Sequence, residues 1–340
     1  MKSTVIKQNV GIDISKNDFS VVFMYLLSDQ RTKIKGSRKF ANNPKGFEEF
    51  SIWFHKFKIK DLDLYFTMEA TGVYYEDLAY FLYEKAHILH VVLPNAAKKF
   101  AQSYNQKHKT DKSDAKMLAV MGLERKLSPW KLSSTIFRRL KKLSRERERL
   151  INERTRLKNQ LHAEEHSADK VKTLIRRIKN HINYINKLIS GSEKEMKKIV
   201  SKDPFVAERI EKICTIPGIS FLTAVTIIAE TNGFVNISSI KQLVSYAGYD
   251  VKIQQSGKWI GKARITKKGN SHIRRALYMP AIATIQYTYK FRNFYERINE
   301  KKKSKLIGLT AVQRKLLAMI YTLWKNNCEY IDNYELKQVA

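Results

Sequence analysis

Regularly spaced leucines and isoleucines in the middle of the chain constrain its fold more than any other sequence feature. Leucines recur between residues 140 and 161 on heptad positions, and isoleucines recur between residues 175 and 189 at alternating spacings of three and four. This spacing places apolar side chains along one face of a helix and is typical of coiled coils. Arg147 and Arg154 occupy two of the heptad positions. The pattern predicts two long helices, joined near residues 166–169, that form an antiparallel coiled-coil hairpin.

The predicted hairpin divides the 340 residues into three parts. We predict an α/β domain at 1–130, the hairpin at 131–203 and a mainly helical domain at 204–340. In the first part, three consecutive strand patterns precede alternating helix and strand patterns, the order expected of a mixed sheet covered by helices. The predicted strands are residues 10–14, 20–27, 35–40, 62–68 and 90–93, and the predicted helices are residues 46–58 and 75–85.

The third part contains a Pro217-Gly218 turn between two helix patterns. A helix-hairpin-helix turn of this kind can point backbone N–H groups at a phosphate without reading base sequence. A tight turn that only joins two helices has the same signature. The sequence leaves both interpretations open.

The chain is strongly basic, with 64 Lys and Arg against 32 Asp and Glu and a formal net charge of +32. Such a charge works against a compact free state and is typical of proteins that bind a phosphate backbone. Residues 131–200 hold 20 basic and 8 acidic side chains, a net +12, so we expect one face of the hairpin to lie along nucleic acid. A solvated helical surface is the alternative.

Composition excludes several other classes of protein. An apolar fraction of 43% can build cores, which excludes a globally disordered chain. Cys214 and Cys328 lie far apart, which argues against a disulfide framework or a zinc site and favours a reducing compartment. No run of 18 apolar residues occurs, and no secretory leader precedes the first strand pattern. We expect a cytoplasmic, nucleoid-associated protein that does not enter a membrane.

Four carboxylates occupy positions suited to a metal site. Asp13 and Glu69 each end an apolar strand pattern, and Asp111 and Asp114 open a helix pattern about one turn apart. A carboxylate at such a strand end is costly unless a cation or hydrogen-bond donors meet it. Because Mg²⁺ takes carboxylate oxygens from separate elements and serves phosphoryl transfer, the four together predict a Mg²⁺ site. Taken singly, the strand-end acids suit turns and the helix pair suits an N-terminal cap.

Three sequence blocks that contain these acids resemble the DEDD transposases of the insertion-sequence-110 family. The blocks are Gly11-Ile12-Asp13-Ile14-Ser15-Lys16, Glu69-Ala70-Thr71-Gly72-Val73-Tyr74 and Lys109-Thr110-Asp111-Lys112-Ser113-Asp114-Ala115. Three later segments resemble the family's C-terminal transposase domain: Pro217-Gly218-Ile219, Ala247-Gly248 and Arg274-Arg275-Ala276-Leu277-Tyr278. The resemblance covers nearly the whole chain in the family's order, and it implies a RuvC-like N-terminal domain with an RNase-H-like fold.

The resemblance also implies a function. Members of the family are recombinases that excise and insert their own element, and characterised members are guided by a structured bridge RNA. They use an acidic tetrad with Mg²⁺ and a C-terminal serine that becomes covalently joined to DNA. Carried over by motif, the tetrad is Asp13, Glu69, Asp111 and Asp114. The lack of a standard helix-turn-helix signal fits a protein that delegates sequence recognition to RNA pairing.

The family's serine lies in a Ser-Gly pair between the Ala-Gly turn and a basic stretch, which here is Ser256-Gly257. Ser271 competes for this role, but it starts a helix pattern, where an N-cap explains a serine without catalysis. A serine hydroxyl needs a base or a metal to become a nucleophile. The sequence names no base, so we expect the metal site to activate Ser256. The resemblance implies a composite site in a homodimer or homotetramer, with the tetrad and the serine from different protomers.

Basic residues surround the candidate serine and are expected to hold the scissile DNA strand. They are Lys258, Lys262, Arg264, Lys267, Lys268, Arg274 and Arg275. A solvated basic surface is the alternative in so cationic a chain. Of the eight histidines, His108 is the one that lies near the tetrad in sequence.

The motifs predict a transposase that cleaves, exchanges and religates DNA through a covalent phosphoserine, guided by a bridge RNA. Three other functions are compatible with them. An invertase of the same family would act on specific DNA sites without a guide RNA. A RuvC-like junction nuclease would use water as the nucleophile with the same metal. A non-catalytic RNA- or DNA-binding scaffold would use the acids only as caps and turns.

Overall fold

A computed structural model describes residues 3–105, 110–132, 134–252, 255–256, 259–261, 264–300 and 304–331. By internal contacts the chain divides into two units, Met1–Leu132 and Ser133–Ala340. The predicted hairpin and the predicted C-terminal domain therefore fall in one unit by contact. The division into three parts stays a prediction.

The first unit is built on a five-stranded mixed sheet with the strand order β3-β2-β1-β4-β5. Its elements are β1 (Val5–Ile14), β2 (Asp18–Leu27), β3 (Thr32–Ala41), α1 (Pro44–His55), β4 (Leu64–Glu69), α2 (Glu76–Glu84), β5 (Ile88–Val92), α3 (Pro94–Ser103) and α4 (Asp111–Glu124). The first three strands pair antiparallel, and β4 runs parallel to both β1 and β5. The predicted mixed sheet is confirmed. The sequence pattern missed α3, because Pro94 ends a strand pattern but also suits the first position of a helix.

The two faces of the sheet bury different kinds of residue. Val10 and Ile12 of β1 are fully buried and face an aromatic core beneath α1 and α2. Seven buried phenylalanines dominate that core: Phe19, Phe23, Phe40, Phe47, Phe50, Phe54 and Phe66. Burying one such side chain stabilises the fold by about 1.5–3 kcal/mol. Because side chains alternate along a strand, Asn9, Gly11 and Asp13 lie on the opposite face, which α4 covers.

Helix α4 lies directly on β1 at Gly11. A Cβ atom on Gly11 would stand 2.0 Å from the Ala115 carbonyl oxygen and 2.2 Å from the Ala119 nitrogen. Two residues earlier on the same strand, the side-chain NH2 of Asn9 donates to the Ala119 carbonyl at 2.7 Å. The side-chain oxygen of Asn9 accepts from the Thr67 hydroxyl at 3.1 Å. These contacts fix both the distance and the direction of α4 over the strand.

The second unit begins with two long helices and continues with shorter ones. Its helices are α5 (Thr135–His166), α6 (Lys172–Ser201), α7 (Pro204–Cys214), α8 (Phe221–Glu230), α9 (Ile240–Ala247), α10 (Ser271–Ala276), α11 (Tyr278–Tyr287), α12 (Tyr289–Asn299) and α13 (Leu306–Asn326). Its short strands are β6 (Val251–Lys252), β7 (Gln255–Ser256), β8 (Trp259–Ile260) and β9 (Arg264–Ile265).

Helices α5 and α6 run antiparallel along a shared apolar seam. The buried side chains of the seam are Leu157, Ile178, Ile182, Ile185 and Ile189. Arg147, at one of the polar heptad positions, donates to Glu193 of the facing helix at 2.6 Å. Arg154, at the other, donates to Asn186 at 3.0 Å. Both arginines therefore have partners across the seam, while the supercoil of a true coiled coil stays a prediction.

The base of α5 belongs to the core of the second unit. Phe137 and Leu140 of α5 are buried in the same cluster as Val312, Leu316 and Ile320 of α13. Among the described helices, α13 is the one long and apolar enough to cross a membrane by length and composition. Since these three α13 residues are fully buried, the helix packs as the centre of a protein core.

The Pro217-Gly218 turn joins α7 to α8. Gly218 has a φ of +85°, which favours glycine, and the Thr284 hydroxyl of α11 donates to the Pro217 carbonyl at 2.7 Å. Ser220 caps α8 by accepting from the Thr223 amide. The turn therefore packs on the unit's own α11, and its use as a phosphate-binding element stays a prediction.

Substitution of Gly11 by alanine tests the contact between β1 and α4. The added methyl group collides with helix backbone, so we expect Gly11→Ala to lower the free energy of unfolding of the first unit by about 3 kcal/mol. A methyl group added to Gly191, within α6, would meet no neighbouring atom within 4 Å. The control Gly191→Ala should therefore raise stability by about 0.5–1 kcal/mol. Urea unfolding measures both; an unchanged midpoint for Gly11→Ala would mean that α4 can move off the strand.

Candidate functional site

Parallel strands β1 and β4 bring Asp13 and Glu69 side by side. Their register pairs Gly11 with Thr67 and Ile12 with Met68, so Asp13 is level with Glu69 at the next position. Thr67 contacts Asn9 on the α4 side of the sheet, and alternation puts Glu69 on that side too. Both carboxylates are partly buried. Two of the four predicted acids are therefore neighbours on one face.

The first turn of α4 carries the other two acids at the same end of the sheet. Moving along β1 from Asn9 to Gly11, the contacts on α4 move from Ala119 toward Ala115, so the helix N-terminus lies toward the Asp13 end. Asp111 is exposed and Asp114 is partly buried. All four acids thus share one end and one face of the sheet.

Neither aspartate of α4 is its N-cap. Thr110 is the cap: its hydroxyl accepts from the Ser113 amide at 3.2 Å, and the Ser113 hydroxyl accepts from the Thr110 amide at 2.9 Å. The capping box satisfies these helix N–H groups without a carboxylate. The N-cap part of the alternative is therefore wrong, while both acids do lie in the first turn, where the helix macrodipole favours a negative charge.

The donor chemistry of the four acids suits a hard divalent cation, since Mg²⁺ prefers carboxylate oxygens. Within the described ranges, however, no three His, Cys, Asp or Glu side chains stand close enough to hold one ion. Lys39 of β3 lies 3.6 Å from an oxygen of Asp111 and 3.0 Å from an oxygen of Asp18. The acids are gathered at one place but do not enclose a cation in this arrangement.

Asp18 is an acid that no sequence pattern singled out. Burial acts to raise the pKa of Asp18, but hydrogen bonds from Ser15 and Lys39 outweigh it and the pKa is lowered. The Ser15 hydroxyl donates to the Asp18 carboxylate at 2.8 Å. Asp18 therefore holds the turn after β1 and anchors Lys39 beside the tetrad.

Asn42 ties together two loops at this end of the sheet. Its side-chain amide donates to the Ser15 carbonyl at 3.0 Å, after β1, and to the Tyr74 carbonyl at 3.1 Å, after β4. From the sequence, Asn42 is only part of a turn before α1, because nothing in its neighbourhood indicates these distant partners.

Ser256 lies on a two-part β-ribbon between α9 and α10. Strand β6 pairs with β9 nearer the helices, and β7 pairs with β8 farther out, with Ser256 opposite Trp259. The Ser256 side chain is exposed. Gly257, Lys258, Lys262 and His108 lie outside the described residues.

Ser271 is the first residue of α10 and does not cap it. The cap is Asn270, whose side-chain oxygen accepts from the backbone amides of His272 at 3.0 Å and Ile273 at 3.3 Å. The capping explanation for Ser271 is therefore wrong. Ser271 is exposed at the helix start.

The described basic residues around the ribbon divide into two groups. Arg264, Lys267 and Lys268 are exposed. Arg274 donates to the Ala247 carbonyl at 2.6 Å, and Arg275 forms an ion pair with Glu148 of α5. The last two arginines therefore hold elements of the unit together, and a contact of any member of either group with DNA stays a prediction.

Glu230, at the end of α8, is a buried carboxylate that the sequence patterns did not reveal. Its side chain has 0% exposure and accepts two hydrogen bonds from Arg145 of α5, at 2.6 and 2.9 Å. Asn270 donates to it at 2.7 Å, and the Lys141 ammonium is 3.7 Å away. Burial acts to raise the pKa of Glu230, but the hydrogen bonds from Arg145 and Asn270 outweigh it and the pKa is lowered. A charge this buried persists only with such partners.

Comparisons with known proteins agree with the order of these motifs along the chain. Residues 10–164 match the family model of the IS110 DEDD transposases, and residues 210–296 match that of the transposase IS116/IS110/IS902 family. The first match spans all four acids, and the second spans Ser256 and α10.

Two full-length relatives are pilin gene-inverting proteins, from Moraxella bovis and Moraxella lacunata. Each is 30% identical over 328 residues, which cover 94% of this chain and 97% of the relative. A solved RuvC from T. thermophilus, in complex with Holliday junction substrate, is 10% identical and covers 36% of this chain and 99% of its own, with a TM-score of 0.27. That score is too low to support a conclusion about fold, so the RNase-H-like assignment stays a prediction. The two family models and the full-length relatives show that this chain belongs to the IS110 family of DEDD transposases.

Proposed function

We propose that this protein is a DNA recombinase that cleaves, exchanges and religates strands through a covalent phosphoserine at Ser256, in a reaction that depends on a divalent metal. The observation that carries the proposal is the position of the four family acids. Asp13, Glu69, Asp111 and Asp114 come from three separate elements and share one end and one face of the sheet. A scaffold that used the acids only as caps and turns would not need this arrangement.

The proposed chemistry is a pair of transesterifications. The Ser256 oxygen attacks a DNA phosphorus, a P–O bond to a deoxyribose breaks, and the departing oxygen takes up a proton as the serine hydroxyl loses one. Religation is the reverse step, in which the hydroxyl of another strand displaces Ser256. The number of phosphodiester-type bonds is conserved, so the reaction needs no external energy source.

The acidic tetrad is the metal-binding part of the proposed site, and Mg²⁺ is the ion that its oxygen donors suit best. Bound there, the ion would stabilise charge on phosphate oxygens and favour the deprotonated serine. The side chains themselves have to converge first, since within the described residues they do not enclose an ion as they stand. Asp111 is the exposed member of the tetrad and lies beside Lys39.

The partners follow from the charge and from the family. A net charge of +32 suits a protein that holds long stretches of phosphate backbone. The proposed substrate is DNA, and the proposed second nucleic acid is a structured guide RNA. The proposed assembly is a homodimer or homotetramer in which the tetrad of one copy acts with Ser256 of another. The exposed Arg264, Lys267 and Lys268 are the described residues best placed beside the serine to bind the scissile strand.

Site-specific DNA inversion without a guide RNA is the second candidate function. The observation that favours it is the full-length similarity to the two proteins named for inverting a pilin gene. The two candidate functions differ in whether the protein needs a bound guide RNA. We expect RNA sequenced from the purified protein to map beside its gene; protein that purifies free of RNA and still recombines DNA would establish the inversion candidate instead.

A cleavage assay with the wild-type protein tests the proposed chemistry. Labelled DNA carrying the element's junctions is incubated with protein, co-purified RNA and either Mg²⁺ or EDTA. We expect DNA covalently linked to protein to accumulate with Mg²⁺ and to be absent with EDTA. Cleaved DNA with free ends and no linked protein would instead indicate a junction nuclease, and binding without cleavage would indicate a scaffold.

A further inference from the structure

The ribbon that carries Ser256 has a well-defined base. Backbone hydrogen bonds join its two arms in sequence, from the Thr266 amide to the Asp250 carbonyl at 2.7 Å, then from Lys267 to Gly248 at 3.1 Å. The last joins the Asn270 amide to the Tyr246 carbonyl at 2.8 Å. Beyond Asn270 the chain enters α10. Asn270 therefore closes the ribbon at the point where it meets the helical core.

Close backbone packing keeps this base rigid. A Cβ on Gly269 would stand 2.5 Å from the Tyr246 main-chain oxygen and 2.5 Å from the Gly248 main-chain nitrogen. Gly248 also has a φ of +76°, which favours glycine. Little freedom remains between the two arms, so a displacement of Asn270 is transmitted to the ribbon.

Three hydrogen-bonding groups of Asn270 bond to three different helices. Its side-chain oxygen caps α10, its main-chain amide bonds to α9, and its side-chain amide donates to Glu230 of α8 at 2.7 Å. Glu230 is in turn held by Arg145 of α5, and the Tyr246 hydroxyl donates to the Glu230 carbonyl at 2.9 Å. Asn270 thus ties the base of the ribbon directly to α9 and α10, and the buried Glu230 carboxylate ties it to α8 and α5.

We propose that the hydrogen bond between Asn270 and Glu230 positions the Ser256 ribbon for attack on DNA, with both residues acting as positioning residues. The inference rests on the proposed role of Ser256. Neither side chain touches the serine; they set the orientation of the base from which the ribbon extends. A displacement of about 1 Å at a reacting group costs on the order of a hundredfold in rate.

The pair offers a substitution that removes the hydrogen bond and keeps the helix cap. In Asn270→Asp the new carboxylate still caps α10, because Asp and Asn are equally good N-caps. It cannot donate to Glu230, however, and it places two like charges together. The exchanged pair Asn270→Asp with Glu230→Gln restores one carboxylate and one amide across the same contact; the Gln oxygen can still accept from Arg145 Nε, and the second Arg145 hydrogen bond is lost. Ser271→Ala changes the adjacent exposed residue and is the matched control.

The experiment measures single-turnover formation of covalent protein–DNA product, the apparent Kd for DNA, and thermal unfolding, with the assay run well below every melting temperature. We expect Asn270→Asp to slow covalent product formation by on the order of a hundredfold with the Kd for DNA unchanged. The exchanged pair should recover at least about tenfold of the loss, and Ser271→Ala should match wild type. If Asn270→Asp does not fold, Asn270→Ser keeps a cap without adding charge and should show the same loss.

Several outcomes would overturn the inference. It fails if folded Asn270→Asp forms the covalent product at the wild-type rate, or if its loss of rate is matched by an equal loss of DNA affinity. It also fails if the exchanged pair is no faster than the single variant. Ser256→Ala is run in parallel to separate the two proposals. If Ser256→Ala still forms the covalent product, the proposed function fails; if it does not and Asn270→Asp is unimpaired, the positioning role alone fails.

Discussion

Ser256→Ala is expected to abolish covalent attachment of the protein to DNA while leaving DNA and RNA binding intact. The alanine lacks the oxygen that forms the phosphoserine, and a different nucleophile would not attack with the same bond geometry. Because the Ser256 side chain is exposed on a short strand, its loss should leave the fold unchanged. Denaturing gels of labelled DNA after incubation with Mg²⁺ measure the linked product, and filter binding measures affinity.

Ser271→Ala is the control for this prediction. Ser271 is also exposed and lies at the start of α10, but it is not in the Ser-Gly pair that resembles the family's nucleophile. We expect it to retain the wild-type yield of linked product. Cleavage that persisted with Mg²⁺ in Ser256→Ala would mean that water or another residue is the nucleophile, and loss of linkage in Ser271→Ala alone would move the role to that serine.

Asp13→Asn is expected to reduce metal-dependent cleavage by at least about a thousandfold, which corresponds to about 4 kcal/mol of lost transition-state stabilisation. The amide keeps the size of the side chain but removes the charge that a divalent cation requires. Asp13 lies beside Glu69 on the face under α4, so it is the member of the tetrad closest to the middle of the sheet. Cleavage rates over a range of Mn²⁺ concentrations, together with Mn²⁺ binding by calorimetry, measure the effect.

Asp29→Asn is the matched control for the acid substitution. Asp29 is an aspartate of the same unit that lies in the turn between β2 and β3 and pairs with Arg31 at 2.7 Å. We expect this variant to cleave DNA and bind Mn²⁺ like wild type. Unimpaired cleavage in Asp13→Asn would remove the proposed metal site, and a loss of cleavage with Mn²⁺ binding intact would assign Asp13 a role other than metal binding.

Much of the secondary structure of the first unit was predictable, because each element has a recognisable pattern of apolar residues within its own segment. The alternating apolar residues of β1 and the nearly continuous apolar run of β2 predict strands, and the structure has both strands with the predicted residues included. The apolar residues whose 3.5-residue spacing predicts two long helices form the buried seam between α5 and α6. Each helix buries its apolar stripe against the stripe of the other helix. The four acids were found by their positions at the ends of such elements and by the resemblance of their motifs.

The contacts that organise the site were not predictable in the same way. Asn42 joins two loops through Ser15 and Tyr74, which are far apart in sequence, and nothing near it signals this. Glu230 follows an apolar run, and from the sequence an acid in that position is expected to be solvated at the end of a helix. In the structure Arg145, from a distant part of the chain, donates a hydrogen bond to it. A local pattern reports burial, whereas a polar partner is chosen by the tertiary fold.

The sequence by itself determined the mixed sheet, the two long helices, the family and the residues that carry the proposed chemistry. Each depends on spacing within a short segment or on motifs in a fixed order. Only the tertiary structure decided that the four acids share one face of the sheet and that, among the described residues, they do not enclose an ion. It likewise decided that Arg274 and Arg275 hold helices together. It also decided that the ribbon of Ser256 is anchored through Asn270 to a buried Glu230. The physical reason is that a charged side chain takes its partner from whatever the packing of distant elements brings within hydrogen-bond reach.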